Sequence, residues 1–315
     1  MELVTITDIE AAAERVRGVA VRTPLVLQTW DPRGTLWLKP ESLQPIGAFK
    51  VRGAFNAIAT LDDDRRARGV IAYSSGNHAQ AVAYAAQRFG VPAVIVVPDI
   101  APRIKVEATR SYGAEVIEVP IGDHEAKAHE LAAERGLTLV APFDDAAIIA
   151  GQGTAGLEIA EDLPDVEVVL VPVSGGGLAA GVGTAIKARC PRARVIGVEP
   201  ALAADTAEGL RLGRRVDWPM ADRARTIADG LRAQPSELTF AHLRKVVDDM
   251  VTVTEDEIRA AMRTLATKAR LVAEPSGAVT TAAYLNHAAE LPEGRTVAIV
   301  SGGNADPALF AEVLA

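Results

Sequence analysis

Along almost the whole chain, short runs of β-branched and apolar residues alternate with longer, alanine-rich segments. VIAY (70–73), AVIVV (93–97), EVIEV (115–119), VVLVPV (168–173), RVIGV (194–198) and TVAIV (296–300) have the length and residue types of strands. Most of them lack polar alternation, as expected of strands covered on both faces. Between such runs, HAQAVAYAAQRFG (78–90) and DHEAKAHELAAERG (123–136) have helical spacing, and each ends in a glycine that can stop a helix. Repetition of this kind predicts an α/β architecture: mainly parallel sheets with helices on both sides.

Length allows more than one core, since 315 residues exceed what a single domain usually needs. One stretch competes with the soluble reading. Val168 to Ile186 carries no charge and is about as long as a membrane-spanning helix. Pro172 and the run Ser174-Gly175-Gly176-Gly177 divide it, however, and a buried strand, a glycine loop and a helix fit better. The N-terminal MELVTITDIEAAAERVRG carries acids and no apolar core, so a secretory signal is not expected. A net charge of -8 offers no basic excess to neutralise phosphates, so neither nucleic acid nor a membrane is the expected partner. The single cysteine, Cys190, rules out a disulfide within this sequence and suits a reducing cytoplasm.

Open parallel sheets bind ligands outside the carboxyl ends of their strands. Three strand-to-helix junctions carry unusual residues: Ser74-Ser75-Gly76-Asn77-His78, Ser174-Gly175-Gly176-Gly177-Leu178 and Ser301-Gly302-Gly303-Asn304. Three consecutive glycines before a helix bare converging backbone N–H groups, a site suited to phosphate. A tight turn alone would need only one glycine. The loop matches neither the G-x-x-x-x-G-K-[ST] pattern nor a clean G-x-G-x-x-G, so a cofactor with one phosphate fits better than a nucleoside triphosphate or NAD. Lys50 lies in IGAFKVRG among apolar neighbours. It is either an ordinary lysine at a helix start or an amine with chemistry to do. A reactive lysine beside a single-phosphate pocket suggests pyridoxal 5′-phosphate held as a Schiff base.

Nine segments in order carry a resemblance: GAFKVRG (47–53), SSGNHAQAVAYAA (74–86), IAGQGT (149–154), VPVSGGGLAAG (171–181), GVEP (197–200), TIADG (226–230), VTVTEDEI (251–258), EPSGA (274–278) and VSGGN (300–304). The chain resembles the fold-type II pyridoxal-phosphate enzymes, in the group of serine/threonine dehydratases (ammonia-lyases) and serine racemases. The resemblance implies two open α/β domains, like those of the tryptophan synthase β subunit, with the cofactor in the cleft between them. Residues 1–51 and 144–315 would form the large domain, and 52–143 a smaller inserted one that closes over substrate. It further implies a homodimer in the cytoplasm.

By position, the resemblance makes Lys50 the cofactor-bound lysine and the base, with Phe49 near the ring and Asn77 on its phenolic oxygen. Ser174, Gly175, Gly176, Gly177 and Leu178 would hold the phosphate, Gly230 would also contact the cofactor, and Ser301 would face the pyridine nitrogen. Ser174 stands where many relatives have a fourth glycine, but its backbone N–H is retained. Ser74, Ser75, Gly76, Asn77 and His78 would bind the substrate carboxylate. A hydroxyl at the ring nitrogen does not enforce its protonation, which favours β-elimination and racemisation over transamination.

The implied reaction is α,β-elimination of L-serine, L-threonine or a related β-hydroxy amino acid to a 2-oxo acid and ammonia. A serine racemase is the main alternative, with Lys50 and Ser75 as acid/base groups on opposite faces. Ser75 could instead only bind the carboxylate or cap a helix. A β-replacement synthase is disfavoured by His78, where its relatives usually carry threonine, and a non-catalytic binding protein by the intact set Lys50, Asn77 and Ser301. Glu199, Ala203 and Asp205 match the group's spacing for a divalent cation, Mg²⁺, Mn²⁺ or Ca²⁺, held by oxygen ligands; alternatively Glu199 and Asp205 are two surface acids. Since the chain ends soon after VSGGN, the C-terminal regulatory domain of biosynthetic threonine dehydratases, and with it isoleucine inhibition, is not expected.

Overall fold

The computed structural model describes residues 2–101 and 103–315. Among the described residues ten strands are formed: β1 (Val26–Leu27), β2 (Leu36–Pro40), β3 (Val70–Tyr73), β4 (Ala93–Pro98), β5 (Glu115–Val119), β6 (Thr138–Leu139), β7 (Val168–Pro172), β8 (Arg194–Pro200), β9 (Asp249–Val253) and β10 (Thr296–Val300). They make a six-stranded sheet of order β1-β2-β10-β7-β8-β9 and a four-stranded sheet of order β5-β4-β3-β6. All pairs are parallel except β1 with β2. The six apolar runs read from the sequence are β3, β4, β5, β7, β8 and β10. Central strands β7 and β10 are buried at every residue, whereas β5, at a sheet edge, exposes Glu115 and Glu118. Val168–Ile186 is indeed a strand, a loop and a helix, and no helix among the described residues is long and apolar enough to cross a membrane.

The chain order places the site. β10 lies between β2 and β7, and the register sets Ala298 opposite Leu170. Ser301 and Ser174 therefore leave adjoining strands on the same edge of the sheet, at the point where the strand order reverses. Ser74 leaves β3 of the smaller sheet, and the helix Asn77–Phe89 follows.

Two features hold Lys50 in place. First, the helix that Lys50 opens touches the helix Ala146–Asp162 backbone to backbone, because a Cβ on Gly151 would lie 2.6 Å from the Arg52 carbonyl oxygen and 2.7 Å from Gly53 Cα. Second, Lys50 opens the helix Lys50–Ala59, and Arg52, two residues on, is fully buried. The Arg52 guanidinium donates to Glu41 Oε2 at 2.7 Å and to Glu158 Oε1 at 2.7 Å; Lys39 Nζ donates to Glu158 Oε2 at 2.5 Å. Glu41 Oε1 also accepts from Thr23 Oγ1 at 2.7 Å. Burial opposes the Glu41 charge, but the Arg52 guanidinium, with Lys39 behind it, holds that carboxyl below its ordinary range. Such a network tolerates no missing partner, since an unpaired buried charge costs about 3–5 kcal/mol. It ties β2, the turn Glu41–Leu43 and the helix Ala146–Asp162 to the helix that Lys50 opens.

Candidate active site

Lys50 is reached through a loop that glycine makes possible. Gly47 has φ +72°, and a Cβ there would lie 2.5 Å from Asn304 Oδ1. Phe49 N then donates to the Ser301 carbonyl oxygen at 3.0 Å, and Gly303 N to that of Gly47 at 2.8 Å, so the IGAFK and SGGN loops run pinned together. The Lys50 side chain is half-buried. Its Nζ donates to the Pro142 carbonyl oxygen at 2.6 Å and lies 5.3 Å from the centroid of the Phe49 ring. Burial, with no carboxylate to oppose it, pulls the ammonium down to about 8.

The glycine loop lies against Phe143, the residue after Pro142. A Cβ on Gly175 would come within 2.2 Å of the Phe143 ring, and Gly176 has φ +87°. Helix Gly177–Arg189 starts from this loop, and no side chain caps its N-terminus. Its first amides thus remain free to meet an anion. Ser174 turns its hydroxyl away: Oγ donates to the Ala233 carbonyl oxygen at 3.1 Å and accepts from Ala233 N at 3.0 Å. Leu178 packs into the core.

Of the other expected residues, Ser301 is buried, with its hydroxyl 3.3 Å from the Ser276 carbonyl oxygen. Ser276 Oγ in turn accepts from Gly230 N at 2.9 Å. Ser74, Ser75 and Gly76 are half-buried; Gly76 N donates to Ser74 Oγ at 3.2 Å, and the space beside Gly76 is open. Asn77, half-buried, is bonded to Glu274 and Asn304. His78 is buried beneath the loop, its Nε2 2.9 Å from the Val140 carbonyl oxygen and its Nδ1 unpartnered. Burial and then the nearby Lys50 charge push it down to about 3, so the ring is neutral.

Glu199, Ala203 and Asp205 sit apart from this cleft, at the end of β8, in the turn Ala201–Ala203 and at the start of the helix Asp205–Leu212. Both acids are buried, at 1 % and 3 % exposure, which removes the surface-acid alternative. Glu199 accepts backbone N–H groups of Thr206 at 3.2 Å and Ala207 at 2.8 Å. Burial, aided by Asp205, pushes Glu199 up to about 8; burial also pushes Asp205 up to about 6, against the pull of Arg223. Asp205 Oδ2 has no partner. Among the described residues no group of three His, Cys, Asp or Glu side chains is arranged to hold a metal ion, so any cation here would need backbone or water oxygens.

Sequence reasoning missed Pro142 and Phe143, and gave Asn304 and Glu274 no task. The last two lay inside recognised motifs; the first two carry no residue-type signal at all.

A family model described as pyridoxal-phosphate dependent enzyme matches residues 16–302. The chain belongs to this family. It is 47% identical over 313 residues to the L-threonine ammonia-lyase of Thermotoga maritima, covering 96% of this chain and 76% of that protein. The catabolic L-threonine dehydratase of Staphylococcus aureus is 41% identical, covering 96% of this chain and 90% of its own. Among solved structures, maize serine racemase superposes with a TM-score of 0.93 at 38% identity, covering 99% of this chain and 97% of that one.

The residues present fit pyridoxal phosphate. The cradle is closed to a side chain at Gly175 by the Phe143 ring and strained for one at Gly176 by its positive φ, its helix N-terminus carries uncapped amides for a phosphate, and the amine of Lys50 lies across Pro142–Phe143 from it.

Proposed function

We propose that this protein is an ammonia-lyase that converts L-threonine, L-serine or a related β-hydroxy amino acid to a 2-oxo acid and ammonia. The observation that carries the reading is the Lys50 amine, half-buried beside the glycine cradle and pulled down to about 8 by burial. Relatives named for threonine ammonia-lyase activity across 96% of the chain support it.

In this reading Gly175, Gly176, Gly177 and Leu178 offer backbone N–H groups to the cofactor phosphate, and Phe49, Asn77, Gly230 and Ser301 surround its ring. When bound, pyridoxal phosphate supplies an electron-accepting ring that makes the substrate Cα–H acidic. Lys50, released as a free amine, takes the Cα proton, and its lowered affinity for protons keeps part of it in the basic form near neutrality. Ser74, Ser75 and the start of the helix Asn77–Phe89 hold the carboxylate by hydroxyls and backbone amides. The neutral His78 adds no charge that would compete. Residues 52–143 act as the smaller, closing unit over 1–51 and 144–315, excluding water from the cleft.

A cation belongs to the proposal. Glu199, the Ala203 carbonyl and Asp205 would hold it, its charge replacing the protons that burial forces on both acids. So does a homodimer: Val21, Val26, Leu27 and Leu43 are exposed around the edge strand β1, an apolar surface that a second copy would cover. A cytoplasmic placement is part of the same proposal, and the lone, buried Cys190 suits such a reducing compartment.

Racemisation is the second reading, favoured by Ser75, whose half-buried hydroxyl has no hydrogen-bond partner among the described residues. The deciding experiment supplies L-serine, L-threonine and L-threo-3-hydroxyaspartate to the cofactor-loaded enzyme, with Mg²⁺ or with EDTA, and follows 2-oxo acid and D-isomer together. Oxo acid in excess is expected; D-serine formed faster than pyruvate would overturn the lyase reading in favour of Ser75 as the second acid.

A further inference from the structure

Glu274 is a buried carboxylate to which the chemistry above gives no task. It occupies the N-cap of the helix Pro275–Asn286, yet its side chain does not cap that helix. A residue in this position ordinarily accepts from the amides of the first turn. Glu274 instead reaches away, and its Oε1 accepts from Asn77 Nδ2 at 2.6 Å. Room for it is made by Gly302, where a Cβ would lie 2.2 Å from that same oxygen and 3.1 Å from Asn77 Nδ2.

The orientation of Asn77 follows from its surroundings. Asn304 lies between the Ile46 carbonyl oxygen and the Asn77 side chain, at 2.8 Å from each. A backbone carbonyl only accepts, so the Asn304 group facing it is the amide nitrogen. That nitrogen spends its second hydrogen on Asn77, which must present Oδ1. Asn77 Nδ2 is thereby turned to Glu274, whose carboxylate accepts. One amide hydrogen of Asn77 goes to Glu274, and no other described residue takes the second. The chain of contacts Ile46–Asn304–Asn77–Glu274 joins the loop before Lys50, the loop after β10 and the start of the helix that follows β3.

We infer that Glu274 is a positioning residue for the cofactor ring: acting through Asn77, it fixes an N–H donor toward the cleft and tunes that donor by its own charge. This rests on the reading that pyridoxal phosphate lies in the cleft with Asn77 beside its ring. Glu274 ionises in the relevant range, because burial pushes it up to about 7, reinforced by Asp229 and opposed by the Asn77 bond and Lys105. Asp229 and Lys105 are themselves paired at 2.5 Å. As pH rises through this value Glu274 becomes charged and draws harder on the Asn77 amide.

The test is the visible absorption band of the pyridoxal-phosphate-loaded enzyme between pH 5.5 and 9, in wild type, Glu274→Gln and Asn304→Ala. Wild type should show a step in band position or amplitude near pH 7. Glu274→Gln, which still accepts from Asn77 but does not titrate, should keep the band and a similar melting temperature and lose the step. Asn304→Ala, which frees the Asn77 amide to turn, should displace the band at every pH. A band present with the same pH profile in wild type and Glu274→Gln would overturn the inference alone. No visible band in wild type would remove it together with the reading on which it rests.

Discussion

Lys50 Nζ donates to the Pro142 carbonyl oxygen at 2.6 Å, so the amine leans on the segment that leads from β6 into the helix Ala146–Asp162. A carbonyl accepts from an amine and an ammonium alike, and no carboxylate stabilises the charge; burial alone acts, pulling the group from 10.5 to about 8. Relative to a surface lysine, the free-amine fraction at neutral pH rises by a factor on the order of 10². Labelling of the cofactor-free protein with an amine-reactive reagent should therefore give Lys50 a midpoint near pH 8. A Lys50 midpoint above 10 would disqualify it as base. Lys50→Ala should lower turnover on the order of 10³-fold and abolish the visible band of bound cofactor.

Gly175 and Phe143 are packed so closely that an alanine at 175 would place its Cβ 2.2–2.4 Å from three carbons of the ring. The ring must move or the loop must, and the loop carries the amides proposed for phosphate. Gly175→Ala should weaken pyridoxal-phosphate binding at least ~10-fold, as a loss of about 1.4 kcal/mol would. Adding Phe143→Ala should restore part of it, because the obstacle is then gone. Fluorescence titration of the cofactor-free variants measures both. Wild-type affinity in Gly175→Ala, or no recovery in the double variant, would refute the steric account. Gly176→Ala should also weaken binding, for a different reason: φ +87° costs roughly 1–2 kcal/mol for a residue with a Cβ.

Much of the fold was legible because buried parallel strands announce themselves as apolar runs. The same logic explains what was not. β1 and β6 are two residues long, and β2 contains Lys39 and Trp37, so none presents such a run. Lys39 is nevertheless fully buried, since Glu158 supplies its counter-charge from more than a hundred residues away. Arg52 stood in plain view inside GAFKVRG, but its meaning depends on Glu41 and Glu158, which no local pattern connects to it. In the site, residues selected for backbone or amide chemistry (Gly175, Gly176, Gly177, Asn77) were readable from type and spacing. Pro142 was not, because it acts through its carbonyl oxygen, which every residue possesses. Phe143 acts by shape against a glycine that only the folded chain brings near.

The pair Glu199 and Asp205 makes stability depend on pH in a definite direction. Burial raises Glu199 from 4.5 to about 8 and Asp205 from 3.8 to about 6. The folded protein therefore keeps protons that the unfolded chain has already released, and this contribution is full below about pH 4 and lost as pH rises through about 6 and then about 8. A divalent cation would substitute for those protons and cancel the loss. In EDTA the melting temperature should thus fall between about pH 5 and 8, over and above the protein's other titrations. Mg²⁺ or Mn²⁺ at about 100-fold over its Kd should add about 2.7 kcal/mol, or about 5 °C, at pH 8, and less at pH 5, where protons compete. Asp205→Asn separates the cause: it removes one buried carboxylate, so it should flatten the decline in EDTA and abolish the response to cation. Identical melting of wild type with and without cation at pH 8 would show that the two acids keep their protons and hold no ion.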